Sequence, residues 1–210
     1  MTPALDAGDI QRLQDCIDGG GVAVFPSDTV YGLCCDPEDE QAAKRLYALK
    51  GRPSARASAV MFFALEPALD ALGDLEARER IALEALLPGP VTLLLANRGR
   101  RFAAACRSDP ATLGLRVPTL PQQLRALSAM PCGVMQSSAN LSGEPDARTL
   151  AEVPESIREG ADLVLDGGEL PGVSSTVIDL RDLASEERWY ILREGALPRE
   201  QAEEMLTALR

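Results

Sequence analysis

The stretch Phe25-Pro26-Ser27-Asp28-Thr29-Val30-Tyr31-Gly32-Leu33 constrains this chain most, because two apolar runs meet across a residue with no amide hydrogen to give. Pro26 sits poorly in a central ladder, so it ends a strand spanning Val22 to Phe25 and turns the chain at Ser27 and Asp28. A second strand follows from Val30 to Cys34. Ser27, Asp28 and Thr29 thereby become a polar hinge between apolar strands.

The rest of the chain alternates in the same way. Asp9 to Gly19 sets Ile10, Leu13, Cys16 and Ile17 at helical spacing and stops in Gly19-Gly20-Gly21. Pro37 to Glu40 opens a helix with negative charge where the helix dipole favours it, and the face Ala43, Leu46, Tyr47, Leu49 delivers Lys50 and Arg52 at the far end. Strands are expected over Ser58 to Ala64, Val91 to Ala96, Leu113 to Val117, Gly133 to Gln136, Leu163 to Asp166, Ser175 to Leu180 and Trp189 to Arg193. Helices are expected over Pro67 to Leu72, Glu76 to Leu87, Pro121 to Met130 and Pro198 to Leu209, with one or two helical turns inside Thr149 to Glu159. Several strands follow one another with no helix between them. The expected fold class is therefore α/β, with a twisted, largely mixed or antiparallel sheet flanked by helices, as a single domain over residues 1–210.

Composition narrows the chemistry. The chain has no histidine, which removes Ser-His and Cys-His nucleophilic arrangements, and its five cysteines show no C-x-x-C spacing. Adjacent Cys34 and Cys35 are read as core fillers. A net charge of −11 argues against tight nucleic-acid binding by the chain alone. No apolar run is long enough for a membrane span and the first residues lack a basic signal region, so a cytoplasmic location is expected. Among 21 cationic residues only Lys44 and Lys50 are lysines, which draws attention to Lys50.

Three polar runs can converge on one anion-binding cleft: the hinge at Ser27 to Thr29, Lys50-Gly51-Arg52-Pro53, and Gln136-Ser137-Ser138-Ala139-Asn140-Leu141-Ser142-Gly143. Each alone fits an ordinary turn. Together they offer a mobile point charge, a bidentate fork and a loop of hydroxyl, amide and backbone donors, as phosphate recognition requires. Neither a Walker-type phosphate loop nor a G-x-G-x-x-G dinucleotide fingerprint is present. The patch Arg98, Arg100, Arg101 is read as a solvated loop. Gly167 to Ser174 is read as a mobile cover.

These runs, with Pro88-Gly89-Pro90 and Thr92, Arg116-Val117-Pro118, Ser175-Thr176-Val177-Ile178-Asp179 and Leu192-Arg193-Glu194-Gly195, resemble the threonylcarbamoyl-AMP synthase family and its YrdC-like domain, from Gly19 to about Pro198. The resemblance implies a YrdC-like sheet with a concave cleft. It also implies an enzyme that joins L-threonine, bicarbonate and ATP, with Mg²⁺ accompanying the nucleotide, into threonylcarbamoyl-AMP and pyrophosphate. The product would feed the N6-threonylcarbamoyl modification of tRNA adenosine 37, completed by a separate transferase machinery, with tRNA itself bound weakly if at all. Carried onto this chain, Lys50, Arg52, Ser138 and Asn140 become the catalytic set. Arg52, Arg56, Thr112, Ser138 and Arg193 would face ATP, and Thr29, Arg116 and Ser175 would hold threonine. The chain departs from the pattern at Ser27, at Arg56-Ala57-Ser58, and at Met61, where some members carry a threonine-contacting histidine.

Three other readings stay open from the residues. One is a related enzyme with another acyl or carbamoyl substrate, and a second is a non-catalytic RNA-binding or ribosome-maturation factor. The third is a pentulose-phosphate lyase-type enzyme on a related sheet architecture, which would need acidic Mg²⁺ ligands near the cleft; Asp28, Asp166 and Asp179 are the candidates, each equally suited to a turn.

Overall fold

In the computed structural model, which describes residues 4–51, 57–73, 75–107 and 109–207, every strand belongs to one sheet. In chain order the strands are β1 (Ala23–Pro26), β2 (Tyr31–Cys35), β3 (Ala59–Met61), β4 (Val91–Ala96), β5 (Thr112–Arg116), β6 (Val134–Ser138), β7 (Leu163–Val164), β8 (Thr176–Asp179) and β9 (Tyr190–Arg193). They lie side by side as β7-β1-β2-β6-β3-β5-β4-β8-β9. The β1–β7, β3–β5 and β4–β8 pairs are parallel and the others antiparallel, so the sheet is mixed, as expected.

The proline hinge makes a hairpin. Pro26 closes β1 opposite Tyr31, and the Ser27 hydroxyl donates to Val30 O at 2.7 Å while Ser27 N donates to the same carbonyl at 3.3 Å. A serine side chain thus doubles the backbone turn, a use of small hydroxyl residues that needs no glycine.

Helix Ala7–Asp18 starts at a capping box, with Asp6 accepting from Asp9 N and Asp9 accepting from Asp6 N, both at 3.0 Å. It buries Ile10, Leu13 and Ile17. Helix Glu40–Leu49 is capped by Asp39, which accepts from Gln41 N at 2.7 Å, and buries Ala42, Ala43, Leu46 and Tyr47. Gly51, at φ +57°, takes the left-handed turn that side chains avoid and ends this helix immediately after Lys50. Helices Leu65–Leu72, Ala77–Leu86, Ala103–Cys106, Glu155–Gly160, Leu183–Glu186 and Arg199–Thr207 complete the layers around the sheet.

Three expected elements differ. The strand expected over Leu163 to Asp166 is reduced to Leu163–Val164. The strand expected over Ser58 to Ala64 is confined to Ala59–Met61, since Ser58 N instead bonds Ala105 O and the chain leaves the ladder toward helix Leu65–Leu72. The helix expected over Pro121 to Met130 is a 3-10 helix at Gln122–Ala129, with Leu124 and Leu127 buried. Their three-residue separation suits the 3-10 repeat as well as the α repeat, so periodicity does not separate the two.

Candidate functional site

Strand alternation builds the site. In β4, Val91, Leu93 and Leu95 are buried in the core while Thr92, Leu94 and Ala96 face outward, and in β5 Leu113 and Leu115 are buried while Thr112, Gly114 and Arg116 take the other face. Register aligns these outward positions into rows. Gln136, Ala59, Gly114, Leu94 and Asp179 are successive partners across β6, β3, β5, β4 and β8. One step inward along the strands, Met61 pairs with Arg116, and Thr92 with Val177, which pairs with Arg193. One step outward stand Ser138 and Thr112.

A cleft of about 430 Å³ opens over these rows, with Ala59, Gly114 and Leu94 as its floor. Thr29, Ser138, Ser175 and Arg193 line it as well, and so do the carboxylates Asp109 and Asp146. The volume is that of a small-molecule site.

At one end, Lys50 Nζ donates to Ser138 O, to Asn140 O at 2.9 Å and to Asn140 Oδ1 at 2.8 Å. The Ser138 hydroxyl donates to the same Oδ1 at 2.6 Å, Asn140 Nδ2 donates to Glu144 O at 2.5 Å, and Ser142 N donates to Lys50 O at 3.0 Å. Lys50 and Asn140 are buried. The lysine end of one helix therefore clamps the loop after β6, and Asn140 Oδ1 joins its ammonium to the hydroxyl of Ser138, which lines the cleft.

On the inner row, Arg116 is buried. Its Nη2 donates to Asp28 Oδ1 at 2.7 Å and to Thr29 Oγ1 at 3.3 Å, and its Nη1 donates to Gln136 Oε1 at 3.3 Å. Burial pushes the Asp28 carboxyl upward against the pull of Arg116, and draws the Arg116 guanidinium downward against the pull of Asp28. Arg116 Nε and Asp28 Oδ2 are buried without partners. Across the cleft, the Ser175 and Thr92 hydroxyls lie 2.7 Å apart, and Arg193 Nη2 donates to Ser175 O at 2.8 Å. A Cβ on Gly195 would fall 2.2 Å from Ser174 O, so only glycine lets the chain after β9 lie this close behind Ser175.

The expected residues thus separate into a Lys50, Ser138, Asn140 group, a Thr29, Arg116, Ser175, Arg193 group, and Thr112 on the outer row. Arg52 and Arg56 lie outside the described residues. Met61 is fully buried in the row of Arg116. Arg98, Arg100 and Arg101 do not line the cleft, and Arg98 is tied to buried Glu79 at 2.8 Å.

The acidic ligand set expected by the lyase reading does not assemble. Asp28 holds Arg116, Asp166 accepts from Tyr31 Oη at 2.9 Å, and Asp179 holds Arg181 at 2.6 Å. Among the described residues no group of three or more His, Cys, Asp or Glu could hold a metal ion. The segment expected as a mobile cover is fastened along its length: Tyr31 Oη donates to Gly168 O and accepts from Gly167 N, Leu170 N bonds Arg148 O, and Gly172 N bonds Thr29 O.

Thr92 and Gln136 stood in the motif runs without an assigned role, and Asp109, Asp146 and Arg181 were not foreseen as site residues. Gln136 had a signal, since alternation from Ser138 puts it on the same face. Arg181 had none.

Sheet order, one open face and cationic side chains around a floor of Ala59, Gly114 and Leu94 define an α/β protein with a small-molecule-sized polar cleft laid across its strands. The chain belongs to the Sua5/YciO/YrdC family, described as telomere recombination, whose profile matches residues 15–195. It is 29% identical over 192 residues to the threonylcarbamoyl-AMP synthase of Pyrococcus abyssi, covering 91% of this chain and 55% of that one. It is 33% identical over 178 residues to the threonylcarbamoyl-AMP synthase of Stutzerimonas stutzeri, covering 85% of this chain and 94% of that one. The crystal structure of P. abyssi Sua5 complexed with L-threonine superposes with a TM-score of 0.82 at 29% identity, over 96% of this chain and 58% of that one. The chain thus spans little more than half of the P. abyssi protein and nearly all of the S. stutzeri one. No helix among the described residues is long and apolar enough to cross a membrane.

Proposed function

We propose that this protein is a threonylcarbamoyl-AMP synthase of the cytoplasm, joining L-threonine, bicarbonate and ATP with release of pyrophosphate. The observation that carries the reading is the shared cleft: Ser138, tied through Asn140 to buried Lys50, lines it together with Thr29, Arg116 and Ser175. The relatives' names and the L-threonine complex of P. abyssi Sua5 support the choice of amino acid.

In this reading Arg116 takes the threonine carboxylate, for which a guanidinium fork is the matching donor, and Thr29 and Ser175 meet the remaining polar groups. The amine condenses with bicarbonate with loss of water, giving a carbamate. A carbamate oxygen then bonds to the α-phosphorus as the bond to pyrophosphate breaks. Two anions must approach for that step, so the residues contribute charge and position. Lys50, joined to Ser138 through Asn140, offsets the repulsion, Arg193 does so from the β9 side, and Arg52 and Arg56 are assigned the phosphates with them. No strong base is needed, which suits a chain without histidine.

Mg²⁺ would arrive on the ATP phosphates, because among the described residues the carboxylates lining the cleft are Asp109 and Asp146 and no group of three or more His, Cys, Asp or Glu could hold an ion. The product would pass to a transferase that modifies adenosine 37 of tRNA. The cleft's size favours small ligands over an RNA backbone.

The test is pyrophosphate release from ATP in reactions lacking L-threonine, lacking bicarbonate or containing both, with Lys50→Ala as control. Release that needs both co-substrates and is lost in the variant is expected. Release indifferent to threonine, or none from folded protein with Mg²⁺, would overturn the reading.

A further inference from the structure

We propose that Arg181 and Asp109 form the base-reading end of the cleft, with Arg181 as a flat platform for adenine and Asp109 as the acceptor for its amino group. The inference rests on the nucleotide assignment above and adds the residues that select the base.

Arg181 stands two residues beyond Asp179, and its side chain reaches from the end of β8 across β4 to β5. Its Nε and Nη2 donate to Asp179 at 2.9 and 2.6 Å, and its Nη1 donates to Thr112 Oγ1 at 3.2 Å. Three of its five N–H donors, one on each nitrogen, are thus engaged along the edge of the guanidinium, which fixes the plane and leaves its face, with one N–H on each terminal nitrogen, for a ligand. The side chain remains 42% exposed and lines the cleft beside Leu94, Gly114 and Val177. A planar cation fixed by its rim next to an apolar floor is a stacking surface for a flat heteroaromatic ring. Lysine would offer no such plane.

The position fits a nucleotide laid along the outer row. Ser138 on β6 and Thr112 on β5 are two strand spacings apart, roughly 10 Å. That is the reach from an α-phosphate held over Ser138 and Lys50, through a ribose, to a base beside Thr112.

Asp109 lies on the turn into β5, where its carbonyl accepts from Thr112 N at 3.1 Å; it lines the same cleft, and its carboxylate is near enough to Arg181 to act on it electrostatically. An ionised carboxylate only accepts. Adenine brings an amino donor at position 6, whereas guanine brings a carbonyl oxygen there and keeps its donors, N1–H and the 2-amino group, on the adjoining edge, so a base held with position 6 toward Asp109 is matched only as adenine. The pair therefore favours ATP over GTP.

The experiment measures ATP, GTP and L-threonine binding calorimetrically in wild type, Arg181→Ala, Arg181→Lys and Asp109→Asn, with threonine-dependent pyrophosphate release alongside and thermal unfolding as the folding check. Arg181→Ala should weaken ATP binding about tenfold with L-threonine affinity unchanged, and Arg181→Lys should not restore it. Asp109→Asn should narrow the preference for ATP over GTP about tenfold, because an amide also donates. If both variants match a wild type that turns over ATP, the inference falls and the synthase reading stands. If the variants lose affinity or discrimination but the wild type shows no threonine-dependent release, the synthase reading falls and the base end stands. A folded wild type that binds neither nucleotide overturns both.

Discussion

The ammonium of Lys50 and the side-chain oxygen of Asn140 lie 2.8 Å apart, and the same oxygen accepts the Ser138 hydroxyl at 2.6 Å. One amide oxygen thus joins the end of a helix to the end of a strand 88 residues further on. The lysine organises the loop as well as charging it.

Replacing that lysine by methionine should leave the loop's carbonyl oxygens without their donor and the phosphates without a nearby charge. Turnover is expected to fall by about 10²- to 10³-fold, the usual scale for removing one fixed electrostatic contact at a transition state. Lys50→Arg should not recover it, because a planar fork cannot converge on three oxygens around one nitrogen. Steady-state pyrophosphate release decides this, and near-normal turnover in the arginine variant would refute the clamp.

Arg116 and Asp28 should behave as a buried pair with unequal halves. Asp28→Ala strands a guanidinium in the core and is expected to cost about 3–5 kcal/mol of stability, read from urea unfolding. Arg116→Gln should weaken L-threonine binding about 10- to 100-fold while ATP affinity stays within about twofold, since the lost contact is a charge-assisted one to the amino acid alone. Equal losses for both ligands would place Arg116 elsewhere in the mechanism.

Gly114 tests the floor. A Cβ there would lie 3.3 Å from Ala59 Cα and 3.4 Å from Ala59 Cβ, so alanine fits with a small shift. Valine adds two methyl groups, which would displace the floor toward the ligand at an overpacking cost of about 1–3 kcal/mol. The expected result is near-normal nucleotide affinity for Gly114→Ala and a loss above about tenfold for Gly114→Val. Equal binding by the two variants would show that no ligand lies over β5.

Asp162 should make stability depend on acid. Its carboxylate accepts from Arg45 and from Val22 N, and those bonds hold it below the usual carboxylate range. The native state therefore gives up this proton more readily than the unfolded chain. The stabilisation is complete above the unfolded value of about 3.9 and is lost as pH falls through the lower native one. Melting curves for wild type and Asp162→Asn should converge across that acidic window and separate above it. A gap that stays constant with pH would contradict the assignment.

Much of the site was legible because local rules act there without competition. Pro26 and Ser27 dictate the hairpin, Gly51 ends a helix just after Lys50, and alternation through β5 puts Thr112 and Arg116 on one face. Asp28 was different. Its partner Arg116 is 88 residues away, and only the insertion of β6, β3 and β5 beyond β2 brings them together, so as a sequence feature Asp28 served equally well as a turn residue or a metal ligand. Arg181 was hidden for the same reason, because its bond to Thr112 crosses 69 residues and a strand that neither belongs to. The shortened β3 and the 3-10 helix reflect weaker local rules, with apolar runs that several geometries satisfy.

The rows across the sheet give the site a property of parity. Thr112, Gly114 and Arg116 share the cleft only because each is separated from the next by one residue that points into the core. A single-codon insertion or deletion at the start of β5 would flip every residue after it, carrying Leu113 and Leu115 to the ligand face and turning Arg116 into the apolar interior. Paired insertions would restore the facing and move the chemistry by one rung. Tolerance to length changes in this gene should therefore follow an even-odd pattern within the central strands, and relax in the loops that join them.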